Sequence, residues 1–255
     1  MAKKLIRYIL KNAGYELVKK DVPQKSIYST ELEFFNTKTG NYYLPKHAVN
    51  DIIASAIKQN KIFDEEIYNI AARYITKNSV VLDVGSNFGQ MAILFSDLTG
   101  EKGTVHAFDA DDFIFSVLQK NINANSKKNI QAHFGAVYHK NDETLYFPVQ
   151  DFERFGTYGS YGIDFKNNKG RPVKTLTIDS LNIQEPISFM KIDVQGGDLF
   201  ALKGAKATIL KHKMPIIFEY EFLFDDELNL CFQDYVDFVK EINYKFSKVI
   251  NGQNY

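Results

Sequence analysis

Four acidic residues fall where strands should end. Val80-Val81-Leu82-Asp83-Val84 runs into Gly85-Ser86-Asn87-Phe88-Gly89. Asp109 follows the apolar stretch Thr104–Phe108, Asp193 closes Phe189–Val194, and Glu219 closes Pro215–Tyr220. Carboxylates at strand ends beside a glycine turn accept hydrogen bonds from hydroxyl groups and attract cations; they repel phosphate. The turn is Gly85-x-x-x-Gly89, with no third glycine in register. It therefore lacks the G-x-G-x-x-G spacing that brings a diphosphate onto helix amides. Asp109 lies 24 residues after Gly85, placed to take both hydroxyls of a ribose. The pattern asks for a nucleoside without phosphates.

S-adenosylmethionine (SAM) has that chemistry: a ribose, a zwitterionic tail and a sulfonium cation. On this reading Gly85 permits the tight turn and Gly89 a close helix, with Ser86 and Asn87 between them. Asp83 either braces the loop or touches the ligand. Ala136 and Val137, after the third strand, suit an adenine wall, and Glu66 reaches toward the methionine end. Asp193 orients the acceptor, acts as base or holds the SAM amino group; Glu219 is the second candidate base, and Gln195 a structural or tail contact. Tyr158, Ser160 and Tyr161 lie in the run Phe155–Gly162, rich in glycine and aromatics, and suit an acceptor-side loop.

A sheet must position these groups. From residue 79 the chain alternates strand and helix: strands at 79–84, 104–108, 130–137, 189–194, 215–220 and 244–250, with helices at 90–97, 199–211 and 232–242 and another carrying Ile114, Leu118 and Ile122. Asp111 or Asp112 is placed to cap that last helix. Such alternation predicts a parallel sheet covered on both faces, with ligands at its carboxyl edge. Residues 142–178 interrupt it. Before it come a hairpin around Thr39-Gly40-Asn41 and a helical stretch over 48–76.

The loop resembles the D-V-G-A-N-x-G signature of the FkbM family of SAM-dependent methyltransferases, in which asparagine at the position of Asn87 is usual. Further stretches agree in order: Ala107-Phe108-Asp109-Ala110 with F-E-P, Asn121 to Asn125 with N-x-x-x-N, and Thr177-Ile178-Asp179-Ser180-Leu181 with T-x-D-x-L. Lys191-Ile192-Asp193-Val194-Gln195-Gly196-Gly197-Asp198 is similar to K-x-D-x-[EQ]-G-x-E, and Leu202-Lys203-Gly204-Ala205 and Pro215-x-x-x-Glu219 complete the set. The resemblance spans about residues 60–222. Asp109 and Asp198 depart from it, each a shorter acid than the usual glutamate.

The resemblance implies a class I methyltransferase fold: a Rossmann-like, seven-stranded, mostly parallel sheet with helices on both faces. Residues 61–255 are expected to form the SAM-binding domain and residues 1–60 an N-terminal helical and hairpin appendage. The implied activity is SAM-dependent O-methylation of a hydroxyl on a sugar, glycan or secondary metabolite. Two other readings stand beside it, a non-catalytic SAM-binding protein and a nicotinamide-dependent oxidoreductase. Composition narrows the partners. The 31 basic and 31 acidic residues balance, which gives no bulk attraction to nucleic acid. The single cysteine, Cys231, excludes an intrachain disulfide and suits the cytoplasm. No metal site is expected and no transmembrane run is present. Residues 3–13 have a basic amphipathic pattern open to peripheral membrane contact.

Overall fold

The computed structural model describes residues 31–46, 48, 50–149, 158–159, 161–165, 169–247, 249–250 and 253–254. The basic segment 3–13 and Ser160 lie outside these residues. The chain opens with β1 (Leu32–Thr37) and β2 (Gly40–Pro45), an antiparallel hairpin, as expected. Helices α1 (Ile52–Lys58) and α2 (Glu65–Tyr74) follow. They are two helices where one helical stretch was expected, because Asn60 and Asp64 both take positive φ (61° and 52°) and turn the chain.

Next come β3 (Val80–Val84), α3 (Gln90–Thr99), β4 (Thr104–Asp109), α4 (Asp112–Ala124), β5 (Ile130–Phe134) and β6 (Ala136–Val137). Every residue of β3 is buried, as a central strand covered on both faces requires. Asp111 caps α4, its carboxylate accepting from the Ile114 N–H at 2.9 Å. Then follow β7 (Thr144–Phe147), β8 (Arg171–Leu176), β9 (Ile187–Ile192), α5 (Asp198–Lys203), α6 (Lys206–His212) and β10 (Ile216–Phe218). The described chain closes with α7 (Asp225–Leu228), α8 (Phe232–Glu241), β11 (Val249–Ile250) and β12 (Gln253–Asn254).

The central sheet has the order β10-β9-β3-β4-β5, and all its strands are parallel. It has five strands among the described residues, not the expected seven. Two local features account for the difference. Gly135, at φ +150°, breaks the expected strand 130–137, and β6 joins β8 and β7 in a separate three-stranded sheet. A side chain at Gly135 would sit 2.9 Å from the Lys174 carbonyl, so only glycine lets β8 approach. The last hairpin, β11–β12, pairs with itself and leaves β10 at the sheet's edge.

Helices cover both faces. One core joins α1 to α4 with the hairpin: Tyr42, Leu44, Ala54 and Ile57 share a cluster with Val81, Phe88 and Leu118. The other holds Leu82, Met190, Leu199, Ile209 and Phe238 under α5, α6 and α8. Helices α5 and α6 replace one expected helix because the chain must step around Tyr138, whose carbonyl would lie 1.9 Å from a Cβ on Gly204. No helix among the described residues is long and apolar enough to cross a membrane.

Candidate active site

The carboxyl ends of β3, β4 and β9 open into one cleft with about 1110 Å³ of empty space, part of it continuous with solvent. The loop after β3 forms its floor. Gly85 takes φ +81°, and its N–H and that of Ser86 both donate to the Phe108 carbonyl. A Cβ on Gly85 would fall 1.8 Å from the Asp193 carbonyl. The glycine is therefore needed where the β3 loop crosses the end of β9, a tighter constraint than room for a ligand. Asn87 adopts φ +49°, a left-handed conformation that asparagine tolerates better than most side chains. Its side-chain oxygen accepts from the Phe88 N–H (2.7 Å) and its own N–H donates to Asp109 (2.9 Å). Gly89 does not line the cleft. At φ +86° it starts α3 against Leu118, 2.6 Å from where its Cβ would be.

Asp109 lines the cleft and is held rigidly: one oxygen accepts from Asn87 and the other from the Asp111 N–H at 3.0 Å. Each oxygen keeps a second lone pair, enough for two ribose hydroxyls. Burial, then the charge of Asp111, pushes its pKa up to about 8. Asp83 is fully buried and also lines the cleft, and neither of its carboxylate oxygens has a hydrogen-bond partner. The Ser86 hydroxyl donates to the Asp83 backbone carbonyl at 2.7 Å, and Ser86 and the Ala92 N–H lie close enough to the carboxylate to favour its ionised form. Burial raises Asp83 to about 6, with Lys191 pulling the other way. An orphaned buried carboxylate facing a cavity calls for a donor or cation to meet it.

Lys191, on β9, is 5% exposed and pairs with Asp193 at 3.1 Å. Burial lowers its pKa, but the charges of Asp193, Asp83 and Asp198 outweigh burial and hold it above the usual lysine value. Burial likewise works against ionised Asp193, yet Lys191 and the hydrogen bonds it receives keep its pKa low. Gln195 bridges the acids, its amide 3.2 Å from both Asp193 and Glu219. Glu219 reaches the surface and does not line the cleft. Even so, partial burial and the neighbouring Asp193 charge raise it to about 8. Lys191 thus favours ionised Asp193, and Asp193 in turn disfavours ionisation of Glu219. Asp198, buried beneath them, rises to about 7 through burial and then Asp193. Among the described residues no group of three or more His, Cys, Asp or Glu is arranged to hold a metal ion.

Of the other expected residues, Ser86, Asn87, Ala136, Val137, Gln195, Tyr158 and Tyr161 line the cleft. Glu66 does not: it is exposed on α2, because the turn before that helix brings Asp64, two residues earlier, to the cleft instead. Tyr158 is buried rather than offered to an acceptor. Its backbone N–H donates to Asp51 (2.7 Å), and its ring meets Phe88 and Phe113 at 5.9 and 5.8 Å between centroids. Sequence reasoning missed Ile53, Phe63, Asp64 and Phe165 as lining residues and Lys191 as the central cation. Lys191 carried a signal, since it stands two residues before Asp193 on the same strand face.

A parallel sheet with a glycine turn and an acid at its carboxyl edge is the architecture of α/β proteins that bind ligands at the ends of their strands. A profile described as "Methyltransferase FkbM domain" matches residues 83–246. The chain belongs to the FkbM family of SAM-dependent methyltransferases. No curated protein matches it. Solved structures similar to it include an FkbM methyltransferase from Methylobacillus flagellatus KT, 15% identical over 98% of this chain and 68% of that one, TM-score 0.44. A precorrin-6y C5,15-methyltransferase from Geobacter metallireducens GS-15 is 10% identical over 72% of this chain and 74% of that one, TM-score 0.40. A methyltransferase from Streptococcus mutans in complex with SAH is 15% identical over 73% of this chain and 85% of that one, TM-score 0.42.

Proposed function

We propose that the enzyme methylates oxygen, acting on a hydroxyl of a sugar or similar polyhydroxylated acceptor. The observation that carries this reading is Asp193: an ionised carboxylate lining the cleft, fixed by Lys191 and Gln195. Bound SAM supplies a methyl carbon on a sulfonium, open to in-line attack by an acceptor lone pair. Asp109 accepts hydrogen bonds from the ribose hydroxyls, and Ala136 and Val137 present an apolar wall to the adenine. Asp193 accepts a hydrogen bond from the acceptor hydroxyl and so aims its oxygen. With the methyl group transferred to the acceptor oxygen and the cofactor leaving as the neutral thioether, the acceptor hydroxyl is a strong acid whose proton has to go to a nearby base. A carboxylate of low pKa is sufficient to take its proton. Lys191 keeps Asp193 ionised for that step.

Tritium transfer from methyl-labelled SAM to a panel of sugars and hydroxylated metabolites tests the proposal. Asp193→Asn should lower kcat at least a hundredfold with SAM affinity changed by less than about threefold. Label appearing on nitrogen or carbon, or Asp193→Asn turning over normally, would remove the oxygen reading.

A further inference from the structure

Strands β7 and β8 end opposite each other, Phe147 paired with Arg171, so a tight turn would connect them. The chain instead leaves at residue 148 and returns at residue 170. The described part of this connection, residues 158–159 and 161–165, lies across the cleft. Chain placed over a cleft where the connection does not need it points to use.

This strap is fastened at both ends. Asp51 is buried and divides its carboxylate: one oxygen caps α1, accepting from the Ala54 N–H (2.8 Å), and the other accepts from the Tyr158 N–H (2.7 Å). The Tyr158 ring packs against Phe88 and Phe113. At the far end the Asp164 N–H donates to the Tyr146 carbonyl (2.9 Å), and Phe165 meets the rings of Tyr138 and Phe200 at 6.2 and 5.6 Å between centroids. Between these anchors Gly162 rests on the turn after β9, where a Cβ would fall 2.5 Å from the Gln195 carbonyl. The strap thereby reaches the turn that carries Asp193. Tyr161, Ile163 and Phe165, alternate residues of the strap, are half-buried and line the cleft together with Asp193 and Gln195. The cleft thus has an apolar wall from the strap and a polar one from β9. A pyranose ring matches that pair, with C–H groups on its faces and hydroxyls around its rim.

We propose that the strap is one wall of the acceptor site, that a pyranose lies with a C–H face on Tyr161, Ile163 and Phe165 and a hydroxyl toward Asp193, and that Asp51 is the positioning residue that holds the strap there. The inference rests on the oxygen-methylation reading, and the experiment separates the two. Tritium transfer from methyl-labelled SAM is measured with the methyl pyranosides of glucose, galactose and mannose, and with sorbitol, which has the hydroxyls without the ring. Calorimetry gives SAM affinity. The best pyranoside should be labelled at least about tenfold faster than sorbitol. Asp51→Ser divides the two roles of Asp51: serine caps a helix as well as aspartate, but its one short hydroxyl does not also reach Tyr158. It should raise the KM of that pyranoside about tenfold and leave SAM affinity within about threefold. Gly162→Ala, which pushes the strap off the Gln195 carbonyl, should give the same split. Asp179 accepts from the Ala207 and Thr208 N–H groups at the start of α6 and lies outside the cleft. Asp179→Ala should therefore melt lower and leave both values within about twofold.

Hydrogen exchange reports on the strap directly. The Tyr158 N–H should exchange at least about tenfold faster in Asp51→Ser, with the amides of α1 unchanged. Unchanged exchange at Tyr158 removes Asp51 as the positioning residue. If the wild-type protein labels no pyranoside, the oxygen reading fails and the acceptor wall with it. If it labels one, and SAM affinity falls in step with acceptor affinity, the strap belongs to the cofactor site. If neither changes in Gly162→Ala and in an Asp51→Ser protein whose Tyr158 exchanges faster, the strap touches no substrate. Either of these last two results overturns the inference and leaves oxygen transfer standing, as does sorbitol labelled as fast as the pyranosides.

Discussion

At the residue scale, Asp109 concentrates the site's logic. It is one methylene shorter than the glutamate usual in its family, and the structure shows how the shorter acid is kept in place. The Asn87 and Asp111 N–H groups grip both oxygens. Asn87 can offer its N–H there because it tolerates a positive φ, so the residue that broke the expected glycine spacing has a structural purpose. Asp109→Ala should weaken SAM by about 1.5–3 kcal/mol, the range for hydrogen bonds to a charged group. It should also loosen the loop, seen as faster amide exchange at Asn87. Calorimetry with unchanged affinity would take Asp109 out of the site. Asp83, Asp109 and Asp193 were legible in sequence because a strand's end is legible. Asp64 was not, since nothing local announces that an N-cap acid will turn away from its own helix.

At the element scale, the β3 loop and the hairpin are welded to the sheet by backbone-level contacts that sequence patterns do not reveal. Gly85 reads as a ligand-contact glycine, yet its missing side chain makes room for the Asp193 carbonyl. Gly85→Ala should therefore cost about 2–4 kcal/mol of stability before any ligand is added, measured as a shift in urea midpoint. A variant with wild-type stability and weakened SAM would restore the simpler reading. The N-x-x-x-N pair has a comparable meaning. Asn121, fully buried, accepts from the Tyr43 N–H (2.6 Å) and donates to the Phe88 carbonyl (2.9 Å). Asn125 accepts from the Asn41 N–H (2.8 Å) and donates to its carbonyl (2.7 Å). Two side-chain amides one helical turn apart thus pair with alternate residues of β2, in the way a neighbouring strand would. Asn121→Leu fits the volume but strands three backbone groups, the Tyr43 N–H and carbonyl and the Phe88 carbonyl, and should destabilise by about 2–4 kcal/mol. A urea midpoint like that of wild type would show that water satisfies those groups instead. The five parallel strands followed from hydrophobic alternation. Their number did not, because one glycine at position 135 diverts β6 into another sheet, and periodicity carries no information about that.

At the scale of the whole molecule, the acids in and around the cleft make the ligand-free protein sensitive to alkali. Asp83, Asp198, Asp109 and Glu219 have pKa values raised to about 6, 7, 8 and 8, above the ordinary carboxylate range near 4. A carboxyl whose folded pKa is raised holds its proton more tightly folded than unfolded. Between pH 4 and 8 the folded state therefore binds more protons, and stability must fall as pH rises. The histidines act in the opposite sense. Burial lowers His106 to about 4 and also lowers His133, which lies 2.8 Å from it, so stability falls as pH drops below about 6.5. Above about pH 7.5 those histidines are neutral in both states and the carboxylates act alone. The four raised carboxyls outnumber the two lowered histidines, so melting temperature without ligand should decline as pH rises through 6.5 to 8.5. Asp109→Asn, which removes one of the raised acids, should flatten the decline. Saturating SAM should flatten it further, because its cationic groups favour the ionised acids that the empty cleft disfavours. Scanning calorimetry at pH 6.5, 7.5 and 8.5, with and without SAM, measures all three effects. A melting temperature constant or rising across that range would mean the acids of the cleft are ionised at no cost, and that solvent reaches them far more freely than the buried, unpartnered oxygens of Asp83 imply.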